Sequence, residues 1–162
     1  MTEKAFQDFY ADDMSHCYGC GRLNPDGLQI KSFWDAGSEA EGGESVCLFQ
    51  PRAHHTAIPG YVYGGLIASL IDCHGTGTAA AAVYRLQGRE MSTLPALRYV
   101  TASLHVEFLK PTPLGPPLEL RGRATEIGGT PAGRKVRVAI TVAVEGVVSA
   151  RGEVVAVQVP EN

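Results

Sequence analysis

Between Gly64 and Thr76 the chain reads GGLIASLIDCHGT, an apolar run broken by very few polar groups. Asp72 falls where the pattern calls for another apolar residue, and a buried carboxylate is costly unless it is paired or neutralised. On a helix Ser69, Asp72 and Thr76 stand at i, i+3 and i+7 and share one face. A narrow polar stripe on an otherwise apolar helix suggests a lined cavity. Gly64 and Gly65 stand where that helix would begin, where backbone N–H groups lack internal partners and negative charge is favoured. Glycine also lets another molecule approach the backbone closely. Free N–H groups aimed at a developing oxyanion, with a carboxylate as base or nucleophile, are the equipment for acyl transfer. A plainer assignment stays open, with Asp72 bonding structural backbone or an arginine and Gly-Gly forming a tight loop-to-helix step.

The elements that would hold these groups follow from periodicity. Residues 3–12 read as a short helix with Phe6, Phe9 and Tyr10 on one side, and 16–27 as a turn-rich segment. Residues 28–34 and 44–50 read as strands, joined by a polar connection over 35–43. Residues 51–63 carry Pro51, Pro59 and Gly60 and read as loop. From Gly65 to about Tyr84 the residues favour helix apart from Gly75 and Gly77, and this segment is apolar nearly all round, as a buried helix is. Four more strands are expected at 98–109, 118–127, 134–144 and 147–159, the last two joined by a tight turn at Glu145-Gly146. Strands joined so closely pair antiparallel. A helix apolar on all sides needs a curved sheet around it, so the expected architecture is α+β, the hot-dog fold, with one domain over 1–162 and the helix within 1–14 appended. Such a sheet leaves edges and part of the helix exposed, so a homodimer or a dimer of dimers is expected.

The chain has 162 residues, 44% hydrophobic and 19% charged, with a formal charge of −3. That length suits one core. Residues 1–50 hold nine acids and three bases, and the remainder eight acids and eleven bases. The balance argues against nucleic-acid binding. No apolar stretch reads as a membrane span, and the acidic N-terminus does not read as a signal or transit peptide. A cytoplasmic location and four reduced thiols, Cys17, Cys20, Cys47 and Cys73, are expected on those grounds.

Three motifs carry a resemblance: CYGCGRLNPDGL, PGYVYGGLIASLID, and TASLHVEFLKPTPLG with the strands after it. Over about residues 15–158 the chain resembles the hot-dog acyl-CoA thioesterases of the phenylacetate-degradation and 4-hydroxybenzoyl-CoA thioesterase kind. The resemblance implies hydrolysis of an acyl-CoA at a site between two protomers, with no separate cofactor, since CoA is the handle of the substrate. It implies that the Gly64 N–H binds the thioester oxygen, that Asp72 activates water or attacks the thioester, and that Thr76 positions water. Tyr63 stands where many relatives have histidine, which bears on the substrate pocket. The resemblance also matches His55 to a position lining the site, with Gly65 and Ser69 beside it.

Other residues have competing roles. Lys110, Arg134 and Lys135 could meet CoA phosphates or be solvated surface charge. His54 could line the site or be an exposed loop residue; His74 reads as a core or dimer contact; His105 sits in a strand that could face a partner helix. Cys17-x-x-Cys20, with His16 beside it, lacks the second cluster that structural zinc requires and the βαβ setting of a redox pair, so it reads as a compact turn near the pocket, with no metal expected. Two other functions fit the same fold, an acyl-CoA dehydratase or hydratase and a non-catalytic acyl-CoA binding protein.

Overall fold

A single helix, α1 (Gly64–Leu86), is the axis of the molecule, and a six-stranded antiparallel sheet curves around it. The computed structural model describes residues 3–38 and 42–160. Residues 39–41, part of the polar connection expected over 35–43, lie outside the described residues, as do 1–2 and 161–162. The strands are β1 (Phe33–Trp34), β2 (Ser45–Phe49), β3 (Tyr99–Phe108), β4 (Leu118–Gly128), β5 (Lys135–Val144) and β6 (Val147–Gln158). Their order across the sheet is β1-β2-β4-β5-β6-β3, so β1 and β3 are its edges. This is the hot-dog fold.

The strands show why the sheet has an inner face. Along β5, Val136, Val138, Ile140, Val142 and Val144 are buried, while Arg137, Ala139 and Thr141 alternate with them. That period of two places one apolar row against α1. The β5–β6 hairpin turns at Glu145 and Gly146, both with positive φ, as a two-residue hairpin of matching twist requires. On α1, Leu66, Ile67, Leu70, Ile71, Val83 and Tyr84 are buried, together with a run of alanines. Gly75 continues the helix rather than breaking it. A Cβ there would lie 2.5 Å from Val154 of β6, so glycine permits the close approach of helix and sheet. By length and composition α1 is long and apolar enough to cross a membrane, contrary to the expectation that no stretch would be; most of it is packed inside the sheet instead.

Two segments differ from expectation. Residues 3–12 do not form one helix. They form two 3-10 turns, Phe6–Phe9 and Asp12–Met14, because Tyr10 and Ala11 are extended between them and tertiary bonds hold the segment. The Phe6 N–H donates to the Ser32 carbonyl at 2.8 Å, and the Gln7 side chain both accepts from the Ser32 N–H at 2.8 Å and donates to Ser32 Oγ at 3.1 Å. In the strand expected over 28–34, only Phe33 and Trp34 pair with β2. The Leu28 and Ile30 N–H groups donate instead to Tyr18 and Gly19, which ties this segment to the turn at 16–27.

His74 completes that anchoring. It is fully buried, with Nδ1 2.9 Å from Ser32 Oγ and Nε2 3.1 Å from Ser45 Oγ. Ser45 Oγ also lies 2.6 Å from Thr78 Oγ1 and donates to the Gly122 carbonyl at 3.1 Å. Burial pushes the His74 imidazole down to about 4, so it is neutral near pH 7 and serves the core.

Candidate active site

Asp72 is half-buried in the wall of a cavity of about 260 Å³, on the side of α1 that faces the start of β3. Thr101 of β3 donates its hydroxyl to Asp72 Oδ1. Among the described residues no other side chain bonds this carboxylate, and no arginine pairs with it. Its second oxygen therefore remains available to water or to a ligand. Thr76 lines the same cavity one turn on. Its hydroxyl donates to the Asp72 and Cys73 carbonyls, both at 3.3 Å, so its lone pairs and not its proton face outward. Ser69 behaves alike, donating to the Gly65 carbonyl at 2.9 Å.

The helix start is a second centre. Tyr63 is the N-cap and makes no side-chain capping bond. The Gly64 and Gly65 N–H groups fall in the first turn, where the helix supplies no acceptors. A Cβ on Gly64 would lie 3.3 Å from the Phe108 ring at the end of β3, and one on Gly65 would lie 2.4 Å from the Tyr63 ring. Tyr63 is itself 58% exposed and leans over the helix start. Eight residues of helix separate Gly64 from Asp72, which is a rise of about 12 Å. Within one chain these two groups cannot address the same carbonyl.

The remaining candidates divide between the two centres. His55 lies with the helix start: its carbonyl accepts the Tyr63 N–H at 2.9 Å and its Nδ1 accepts the Arg52 N–H at 3.0 Å. Desolvation, with His54 and Arg52 nearby, holds its imidazole below the usual range. His54 packs edge-on against His55 with ring centres 4.3 Å apart. Lys110 follows the end of β3, whereas the Arg134 carbonyl accepts the Gln158 N–H, and Gln158 pairs with Tyr99 at the start of β3. The ten-residue length of β3, about 30 Å, therefore separates Lys110 from Arg134, and one chain cannot bring both to one phosphate. Lys135 pairs with Gly128 and Val157 at the Arg134 end of the sheet. His105 is exposed on β3, with Nε2 3.8 Å from Glu107.

The cysteine pair is not isolated. Cys73, from α1, reaches the Cys17-x-x-Cys20 turn, and its sulfur lies 3.8 Å from that of Cys17. All three sulfurs lie within 4.8 Å of one another in the wall of the Asp72 cavity. Hydrogen bonding from Cys20 and Cys73 holds the Cys17 thiol far below its usual range, while Cys20 is pushed up to about 12 and Cys73 also rises. Sequence spacing could not reveal the third thiol, because 52 residues lie between Cys20 and Cys73. Thr101 was equally hidden, since nothing local marks a strand threonine as the partner of a helix carboxylate.

Residues 59–139 match the family model of the thioesterase superfamily, and this span covers the Gly-Gly step, Asp72 and β3. The chain belongs to the thioesterase superfamily. It is 43% identical to a thioesterase superfamily protein from Shewanella loihica of known structure, covering 93% of this chain and 100% of that one with a TM-score of 0.64. It is 36% identical over 84 residues to acyl-coenzyme A thioesterase THEM4 of Xenopus laevis, covering 52% of this chain and 32% of that protein. The chain thus spans about a third of the length of that relative. The fold is shared with the E. coli PaaI protein of the phenylacetic acid degradation operon, at 15% identity and a TM-score of 0.59 over 79% of this chain and 87% of that one.

Proposed function

We propose that this thioesterase-superfamily protein hydrolyses an acyl-CoA thioester to the free acid and CoA at a site built from two copies of the chain. One observation carries the reading: α1 runs antiparallel to β3, with Asp72 bonded at the start of that strand and Gly64 packed at its end. β3 is a sheet edge carrying exposed Val100, Leu104 and Phe108, with exposed Leu109 just after it. Unpaired edges of this kind associate. If two copies join antiparallel through β3, the start of one strand meets the end of the other. Asp72 of one copy then stands near the helix start of its partner, and the distance of about 12 Å within one helix ceases to be an obstacle. The same inversion brings Lys110 of one copy to the end of the sheet that carries Arg134 of the other, a pairing suited to the phosphates of CoA.

At that site the helix-start N–H groups stabilise the oxyanion formed as the thioester carbonyl is attacked, and the CoA thiolate leaves. Asp72, held in place by Thr101, either takes a proton from the attacking water or attacks the carbon itself. Single turnover in ¹⁸O-water separates these routes, since only the second labels the protein. Among the described residues no histidine of the same chain lines the Asp72 cavity. A thiol-release screen across aliphatic and aromatic acyl-CoAs tests the proposal. Turnover of at least one thioester is expected, with kcat/KM falling at least about 100-fold in Asp72→Asn. Full activity in that variant, or CoA thioester binding with no thiol release, would overturn it.

A further inference from the structure

We propose that Cys17, Cys20 and Cys73 form a three-thiolate site for one divalent thiophilic cation of the zinc type, set in the wall of the cavity that holds Asp72. The sulfurs of two thiolates on one zinc at about 2.3 Å, held at the tetrahedral angle, stand about 3.8 Å apart. The Cys17 and Cys73 sulfurs are 3.8 Å apart, and Cys20 completes a triangle whose sides are all within 4.8 Å. The separation is far too long for a disulfide, whose sulfurs lie about 2 Å apart. Three soft donors without carboxylate or imidazole select zinc over magnesium, calcium or manganese.

Two further features fit a metal centre. A Cβ on Gly19 would lie 2.3 Å from the Cys73 sulfur, so the absent side chain in the Cys17–Cys20 turn is what lets the helix thiol enter it. The charge also balances. A divalent ion with three thiolates carries a net charge of −1, and Arg98 stands in the wall of the same cavity. Its Nη2 donates to the Met14 carbonyl at 3.1 Å and its guanidinium stacks 4.3 Å from the centre of the Tyr10 ring. Its Nη1 is buried with no hydrogen-bond partner among the described residues, in an arginine that lines the same cavity as the three sulfurs. Three protein ligands leave one tetrahedral position, which opens toward water or a ligand atom in the cavity. The ion would also tie the turn at 16–27, which has no strand or helix of its own, to α1.

The test uses the whole protein, stripped of metal with a chelator and kept reduced, with all four thiols verified by titration. Cobalt(II) is the probe. One equivalent per chain is expected to give thiolate-to-cobalt charge-transfer bands and the strong visible bands of tetrahedral cobalt, both erased by zinc(II). Zinc is also expected to raise the melting temperature of the stripped protein. Cys73→Ser and Cys17→Ser should each weaken cobalt binding at least tenfold, while Cys47→Ala, outside the cluster, should leave the spectrum unchanged. Should a serine variant fail to fold, the spectrum and stoichiometry of the unaltered protein still decide. Reduced protein that gives no stoichiometric thiolate–cobalt spectrum overturns the site, and so does a spectrum that survives loss of Cys73. Neither measurement involves a thioester, so the result stands apart from the outcome of the hydrolysis assay.

Discussion

Asp72 owes its character to one neighbour. The Thr101 hydroxyl bonds one carboxylate oxygen and leaves the other to do chemistry, so a residue with a methyl in place of that hydroxyl should leave Asp72 present but unaimed. Thr101→Val is expected to lower kcat about tenfold with little change in KM, read by thiol release; an equal loss in Asp72→Asn and in the double variant would show that the two act together. Gly64 invites a sharper substitution. The first helical position tolerates proline, whose ring carries no N–H, and Tyr63 before it is already extended at ψ 129. Gly64→Pro should therefore keep the helix and delete one oxyanion donor, reducing kcat about 100-fold, with only a small drop in melting temperature as the exposed Phe108 ring yields to the new Cβ. Tyr63 is exposed and leans over the helix start, where it shapes access to the N–H groups.

At the scale of the element, α1 reconciles two demands: it must be apolar enough to fill a sheet and polar enough to carry a site. It does so by facing. Asp72 and Thr76 look toward the start of β3, while His74, two residues after Asp72, points into the network of Ser32, Ser45 and Thr78. That network has a pH signature. The His74 imidazole is held near 4 in the folded chain against an ordinary 6.5. The unfolded chain thus binds the extra proton first, and stability is full above about 6.5 and lost as the pH falls toward 4. The loss amounts to about 3 kcal/mol at most. Denaturant midpoints measured between pH 7 and 4 should fall accordingly, and the His74 share of that fall should vanish in His74→Gln, which starts less stable. The helix–sheet contact offers a second check. Gly75→Val places branched carbon where a Cβ already meets Val154 at 2.5 Å, and should cost about 2 kcal/mol or more in chemical denaturation.

For the whole molecule the question is what covers β3. The opposite edge of the sheet is a two-residue strand, whereas β3 is ten residues long with apolar side chains outward. Leu104→Glu places like charges on that edge and should shift the protein toward monomer in sedimentation velocity, with hydrolysis falling in step. Complementation gives a sharper outcome. Neither Asp72→Asn nor Gly64→Pro should be active alone, but a mixed dimer of the two contains one intact pairing of carboxylate and helix start. Co-expression of both chains should therefore recover about a quarter of full activity for random pairing. No recovery from a confirmed mixed dimer would place both groups in one chain, against the distance along α1.

The chain sequence alone determined the helix, the four long strands and the tight turn between the last two, because these depend on periodicity and on residues with special backbone freedom, both of which are local. It also singled out the Gly-Gly step and Asp72, since a glycine pair and a lone carboxylate are conspicuous in an apolar run. Tertiary structure alone decided the rest. The N-terminal segment broke into 3-10 turns because Ser32 competes for its hydrogen bonds, and residues 28–32 left the sheet for the turn at 16–27. Thr101 reached Asp72, and Cys73 joined Cys17 and Cys20, across separations that no local pattern encodes. Lys110 and Arg134, both plausible phosphate ligands in the sequence, proved to lie at opposite ends of a strand. Local residue types can nominate a chemical group, but its partners come from packing between distant segments.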